Sequence, residues 1–478
     1  MKQEIESFFF YDLETSGFNA RSARIMQFAG QRTNMELEPI GEPVDVLIKM
    51  TEDVLPDPGA ILVTGITPQK TISDGITEKE FLDLFHKEIA TEKTVFIGFN
   101  SLRFDDEFMR HLHFRNFYDP YEWHWKGNRS RWDLLDVVRM TRALRPEGIE
   151  WPVSDEGVPV NKLEVLAKSN QLEHESAHDA LSDVNATIAL AGLIRSRQPK
   201  LFDYLFSIRK KDEVKKIVSS GLPFVYSSGK YENQYEKTTV AAKIVDHPDK
   251  QGAVVFDLRY DPTPYLAMTA KELAEVWKYK KDSEDPRLPA KTLQYNRCPA
   301  IAPLNVLNAA SQERINLNLE TIKNHHDALL SDLDFPKKIV EALRMLDAAR
   351  KPSSNKGYPD EQLYNGFLPD NDRQKLQTVQ KLDATTIAGA KIVFGDKRLN
   401  QIFPLYKARN FSSSLTPEEY EKWEDYRTKK LLSGNPSVMK QFVLALDEQL
   451  SREDLTPQQR FILEDLQLYA ESIMPGQD

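Results

Sequence analysis

The sequence predicts a chain of three classes in series: an α/β part with a mixed sheet, an all-β part and an all-α part. Three observations carry this. Apolar strand-like runs alternate with helical periodicity up to about residue 198. Short strand-like pieces between turn signals cluster within 223–296. Polar amphipathic helices dominate 361–478. At roughly 150 residues per domain, 478 residues also accommodate about three domains.

The first part opens on a strand over residues 5–14, IESFFFYDLE. Apolar stretches at Ile25–Gln31 and Val44–Met50 follow at spacings that suit an antiparallel meander. The turn formers in LPDPGAILVTGITPQ read as a loop. Residues 77–90 read as a helix, with Phe81, Leu84, Phe85 and Ile89 on one face. Thr94–Phe99 is a compact strand feeding Asn100 and a helix that presents Phe104, Phe108 and Leu112. Helices follow over Lys162–Ser169 and Asp179–Ser196, and Pro199 closes the second. Strand and helix alternating after a meander predict a mixed sheet over 1–198.

Residues 199–350 begin helical and pass to the strand-like pieces PFVYSS, TTVAAKIVDH, GAVVFDLRY and KTLQYN, as in a small β-barrel or sandwich. Helical sequence returns over 312–349, and KPSSNKGYPD at 351–360 reads as a linker. The last part, 351–478, carries amphipathic helices at 417–432, 436–451 and 457–473.

Composition narrows the function classes. Apolar residues at 40% and charged residues at 28% exclude wholesale disorder. The single cysteine, Cys298, excludes an internal disulfide and reads as a small buried hydrophobe rather than a nucleophile. The apolar run Phe8–Tyr11 meets Asp12 too early for a signal peptide, and no run approaches the roughly 18 apolar residues of a membrane span, so a cytoplasmic protein is expected. The net charge of −10 does not exclude nucleic-acid binding, because distribution outweighs the sum. The locally basic stretch 195–216 reads as a solvated helix face.

Chemistry concentrates at three places. Asp12 and Glu14 stand two apart on a strand and so share a face, where two adjacent carboxylates repel unless a cation sits between them. Each has an ordinary reading as a solvated strand end, but the aromatic run before them requires a buried strand. Asp105 follows Phe104 at a helix start, where an acid also serves as a cap, and Asp106 competes with it. His178 stands at the entrance of the strong helix with Asp183 about one turn inside, and Asp179 competes for the latter's role.

Taken together, D-x-E, D and H-x4-D in this order, on these elements, resemble the DEDD superfamily of 3′→5′ exonucleases in its histidine-containing subtype. The stretches RFDDEFMRHLHFRNFYDPYEW, SRWDLLDVVRMTRALRPEGIEWP, SRQPKLFDYLF, EQLYNGF and YKARNF narrow the resemblance to the bacterial exonuclease I family over nearly the whole chain. That resemblance implies a ribonuclease H-like exonuclease domain, an SH3-like β-barrel domain and a helical C-terminal domain. It implies a processive enzyme of DNA repair and recombination that degrades single-stranded DNA to 5′-mononucleotides.

By motif position, Asp12, Glu14, Asp105 and Asp183 would hold two Mg²⁺ ions, with Mn²⁺ able to substitute, and His178 would be the general base. Arg110, Tyr121, Trp125 and Arg139 are candidate DNA contacts, with Trp123, Arg129 and Arg142 offering similar chemistry and about half of the aromatics expected in the core. Glu14 and Lys162 would touch substrate. Lys162 stands where the family often has arginine, keeping the charge and losing the bidentate fork. Arg145 would receive the acidic C-terminal tail of single-stranded-DNA-binding protein. A monomer suffices if the three domains enclose one strand. RNA is the competing substrate, and a non-catalytic binding protein is the competing class.

Overall fold

The structure, a computed structural model, describes residues 6–172, 179–278, 287–349 and 357–476. Strand β1 (Ser7–Thr15) is the middle of a five-stranded sheet. It pairs antiparallel with β2 (Ile25–Thr33) and parallel with β4 (Thr94–Gly98). The edges are β3 (Val44–Leu47), antiparallel to β2, and β5 (Ser130–Asp133), parallel to β4. A central strand covered on both faces must be apolar on both, which explains SFFFY. Phe8 and Phe10 enter one core cluster, and Phe9, Tyr11 and Leu13 enter the opposite one with Phe28, Phe85 and Phe96.

The stretch expected as a loop at 55–69 instead holds α1 (Pro58–Thr64) and the start of α2 (Pro68–Asp74). The turn formers there are helix boundaries. The Asp57 side chain accepts from the Ala60 amide at 2.9 Å, Pro58 opens the helix, and Gly65 closes it at φ 69°. Helix α3 (Glu78–Leu84) runs on into a π-turn over Phe85–Ile89. Further on come α4 (Asp105–Arg115), α5 (Leu134–Leu144), α6 (Leu163–Ser169) and α7 (Ala180–Arg197). Helix α7 lies on the β1–β2 face that carries Phe8 and Phe10.

The second domain is built on an antiparallel sheet of order β10-β6-β7-β8-β9. Its strands are β6 (Phe224–Ser227), β7 (Thr238–Asp246), β8 (Gly252–Asp257), β9 (Ala290–Gln294) and β10 (Ala300–Pro303). The last 120 or so described residues are helical, with long helices at Lys397–Asn410, Pro417–Leu432, Val438–Leu450 and Pro457–Ser472. Among the described residues no helix is long and apolar enough to cross a membrane.

The expected linker at 351–360 needs correction at its end. Residues 351–356 lie outside the described residues, but Asp360 is buried and pairs with Arg24 at 3.0 Å and Arg409 at 3.1 Å. It belongs to an ionic cluster that joins the C-terminal and first domains. Asp53, fully buried, accepts from Arg409 at 2.7 Å and from Lys430 at 2.6 Å. Those cations hold its carboxyl well below the usual range despite burial. Arg409 is the arginine of YKARNF, so that motif serves domain docking. Met26, Met50, Val54 and Ile61 pack beside it against Phe442, Leu463 and Tyr469. Removing one partner from a buried cluster strands the others, so Asp53→Ala is expected to lose about 3–5 kcal/mol of stability in urea melts. A loss within about 1 kcal/mol, the range of exposed pairs, would contradict the clasp.

Candidate active site

The polypeptide brings three of the predicted carboxylates together by simple geometry. Asp12 and Glu14 continue the Phe8–Phe10 face of β1, so both point toward α7. Asp183 lies in the first turn of α7. Ligand oxygens of Asp12, Glu14 and Asp183 all lie within 4.8 Å of one another. Asp179 does not replace Asp183: its side chain caps α7, accepting from the Ser182 amide at 3.2 Å.

Asp105 opens α4, after the sharp turn that leaves β4. At Gly98 a side chain would sit 2.5 Å from Ser101 Cβ, so only glycine admits the turn there. Asn100 takes the left-handed conformation at φ 69°, which asparagine tolerates. Asp105 is buried and feels the charge of Asp12, but it falls outside the group of three whose oxygens lie within 4.8 Å. Asp106, the competitor, is engaged elsewhere: it accepts from the Tyr11 hydroxyl at 2.7 Å and from the Arg131 guanidinium. His178 lies outside the described residues.

The electrostatics follow from crowding. Burial, then Asp183, pushes the Asp12 carboxyl up to about 8. Burial, then Asp12, Asp183 and Asp179, pushes Glu14 up to about 9. Burial and Asp12 lift Asp105 well above the carboxylate range. A donor set of oxygen only, anionic and self-repelling, fits a hard divalent cation and not a thiolate- or imidazole-seeking one.

Two cavities lie alongside. One, of about 360 Å³, sits where all three domains meet and is lined by Glu107, Arg110, Tyr121, His124, Arg131, Gln294, Asn296, Arg297 and Tyr364. Arg110 lies 5.6 Å from the Tyr121 ring centre. The other, of about 900 Å³, lies between Arg103 and the second-domain strands. Its wall is basic: Arg103, Lys230, Lys250, Arg259, Arg287, Lys291 and Arg297 outnumber Asp133, Asp136, Glu232 and Asp257. An acidic protein thus lines this cavity with an excess of positive charge.

Of the other sequence candidates, Trp125 exposes its indole, and Lys162 is exposed with its Nζ 3.8 Å from Glu164. Arg139 donates to Asp136 at 2.6 Å, and its guanidinium lies against Gly229, where a Cβ would sit 3.0 Å from it. Trp123 is core. Arg129 donates to backbone carbonyls of Ala90 and Glu122, and Arg142 to those of Pro152 and Val160 while pairing with Glu236 at 2.8 Å. Arg145 donates to the Val306 carbonyl at 2.8 Å, on the seam of the first two domains. The Cys298 thiol donates to the Arg131 carbonyl at 3.1 Å, and burial pushes it up to about 12, which makes it unreactive.

Sequence reasoning missed Asp133. It caps α5 through the Leu135 amide at 3.0 Å and also accepts from the amides of Asn100 at 3.0 Å and Leu102 at 3.2 Å. It therefore fixes the loop that delivers Asp105. The acid before Leu-Leu in SRWDLL signals a cap, but not the distant amides. Gln294, Arg297 and Tyr364 were missed too. Tyr364 lies in EQLYNGF, and its hydroxyl reaches Glu107.

A mixed sheet whose central strand presents a carboxylate pair to the start of a flanking helix defines a ribonuclease H-like exonuclease domain. Family models agree: residues 9–191 match an exonuclease model, 209–344 the exonuclease I SH3-like domain and 358–473 the exonuclease I C-terminal domain. The chain is 40% identical to exodeoxyribonuclease I of Haemophilus influenzae over 89% of its own length and 90% of the relative's. It is 38% identical to that of Escherichia coli over 91% and 93%. Among solved structures, exonuclease I from Methylocaldum szegediense superposes with a TM-score of 0.92 at 40% identity, covering 98% of this chain and all of that one (100%). E. coli exonuclease I in complex with a dA16 oligonucleotide gives 0.93 at 36% identity, with coverage of 98% and 100%. The chain belongs to the exonuclease I family, as an exodeoxyribonuclease with exonuclease, SH3-like and helical domains. The exonuclease domain of this family depends on a divalent metal, and the acidic cluster is consistent with that.

Proposed function

We propose that this protein is a 3′→5′ exonuclease that degrades single-stranded DNA processively to 5′-mononucleotides in repair and recombination. The observation that carries the reading is the Asp12–Glu14–Asp183 cluster beside Asp105, in a chain whose relatives are exodeoxyribonucleases. Asp12, Glu14, Asp105 and Asp183 would hold two Mg²⁺ ions, or Mn²⁺ in their place. When bound, such ions supply Lewis-acid stabilisation of the phosphoryl oxygens and make a water more acidic. The chain's own groups do the rest. His178 takes the proton from the attacking water, a task that an imidazole performs near neutral pH. Glu14 also meets the terminal nucleotide, and Lys162 offers its charge to the reacting phosphate. Arg110, Tyr121, Trp125 and Arg139 hold the strand by stacking and by phosphate contact.

The E. coli relative is solved in complex with a dA16 oligonucleotide, and here Arg103 of the first domain and the second-domain strands line a basic wall suited to a single strand. The domain boundaries are proposed at 198 and 350, so that the parts are 1–198, 199–350 and 351–478. Arg145, on the seam between the first two, is proposed to receive the acidic tail of single-stranded-DNA-binding protein. The working unit is proposed as a cytoplasmic monomer.

The test is a gel time course on 5′-labelled single-stranded DNA, duplex DNA and RNA, with Mg²⁺ and with EDTA. A Mg²⁺-dependent ladder shrinking from the 3′ end of single-stranded DNA is expected. Preferential loss of RNA would overturn the substrate assignment, because a site that reads the 2′-OH separates the two. His178→Ala is expected to slow turnover by about 10²–10⁴-fold while Mn²⁺ binding persists. Turnover at the parent rate would end the general-base assignment.

A further inference from the structure

The first turn of α4 carries three acids in a row, and the metal reading uses one of them. The turn has no cap of its own: Phe104 stands at the N-cap position and makes no side-chain hydrogen bond there. Something else must hold Asp105 to the tolerance that a metal site needs. Asp106 is almost completely buried, at 1% exposure. One of its oxygens accepts from the Tyr11 hydroxyl at 2.7 Å; the other accepts from Arg131 and lies 3.7 Å from Arg110 Nη2. Tyr11 immediately precedes Asp12, and Asp106 immediately follows Asp105. One carboxylate thus ties the residue beside the strand ligand to the residue beside the helix ligand.

The tie extends beyond the first domain. The second Nη of Arg131 donates to the Asn296 carbonyl at 3.2 Å, and Cys298 donates back to the Arg131 carbonyl. Glu107, next along the turn, lies 3.5 Å from Arg297 and accepts from Tyr364 of the C-terminal domain. All three domains therefore grip the turn that bears Asp105.

We propose that Asp106 is a positioning residue for Asp105, and that Arg131 anchors it to the second-domain segment 294–298, so that assembly of the metal site is coupled to docking of the domains. This rests on the reading of Asp105 as a metal ligand. Groups that orient ligands from behind carry a large share of metal affinity. A simpler account would have Asp106 and Arg131 act by charge alone, and the two accounts differ in sign. On charge alone, replacing Arg131 by a neutral residue leaves the site more negative and tightens cation binding. On positioning, the same change frees the turn and weakens it.

The experiment is Mn²⁺ titration of the full chain without DNA, followed by electron paramagnetic resonance, on the parent, Asp105→Asn, Arg131→Met and Tyr11→Phe. Circular dichroism checks the fold of each. Parent binding that Asp105→Asn weakens establishes the ligand; its absence would sink the metal-site reading itself, separately from the present one. With the ligand established, Arg131→Met is expected to bind Mn²⁺ at least about tenfold more weakly, the scale of lost ligand support. Its kcat on single-stranded DNA should fall with the metal affinity. Affinity equal to the parent's, or tighter, overturns the proposal. If Arg131→Met does not fold, Tyr11→Phe decides, since it removes one hydroxyl and no charge: weaker Mn²⁺ binding supports positioning, and unchanged binding overturns it.

Discussion

Asp183→Ala is expected to cut hydrolysis at the 3′ end by roughly 10²–10³-fold or more, the scale of losing one pre-organised electrostatic group. Binding of single-stranded DNA should stay close to the parent's. The separation follows from where the residue sits. Asp183 shares a site of 4.8 Å with Asp12 and Glu14, whereas Arg110 and Tyr121 line a different cavity, at the junction of the domains. Nor does α7 need Asp183 to form. Asp179 already caps it, and an acid in the first turn adds only about 0.3–1 kcal/mol. Single-turnover rates and a fluorescence-anisotropy titration read the two effects apart. Equal loss of cleavage and binding would make Asp183 a structural residue.

The second large effect is a stability gain from an inactivating change. Without a metal, burial and then the neighbouring carboxylates push Asp12 up to about 8 and Glu14 up to about 9, from ordinary values of 3.8 and 4.5. The folded state therefore holds protons that the unfolded chain releases. Stability then falls as pH rises from the ordinary carboxylate range through these values, because the unfolded state binds fewer protons there. Asp12→Asn removes one of the repelling charges. In EDTA at alkaline pH it is expected to raise Tm by several degrees, and with Mg²⁺ present its activity should disappear. Ligands must be deprotonated to bind a cation, so Mg²⁺ should raise the parent's Tm more at pH 9 than at pH 6, and proton release should accompany binding. A metal-free Asp12→Asn protein that melts below the parent across this range would contradict the electrostatic account.

Much of this was legible in the sequence, for identifiable reasons. The carboxylate pair could be read because period-2 alternation after SFFFY fixes which residues share a face. The helix bearing Asp183 is long and rich in Ala, Leu and Ile. By contrast α1 was hidden because its boundary residues, Asp57, Pro58 and Gly65, are also turn formers, and seven residues give little periodicity. Strand β5 has four residues and no alternation, so nothing local announces it. Arg142 has the chemistry of a phosphate contact, yet the fold spends its donors on the carbonyls of Pro152 and Val160. Sequence pattern reports what a side chain can do. Only the fold shows which partner reaches it first, as Asp106 illustrates beside Asp105.

The most direct measurement is anomalous diffraction from crystals soaked in Mn²⁺, paired with the same crystals in EDTA. Density within ligand distance of Asp12, Glu14 and Asp183, extending to Asp105 and lost in EDTA, is the predicted result. Active protein whose Mn²⁺ peaks lie away from these carboxylates would contradict the account at its centre.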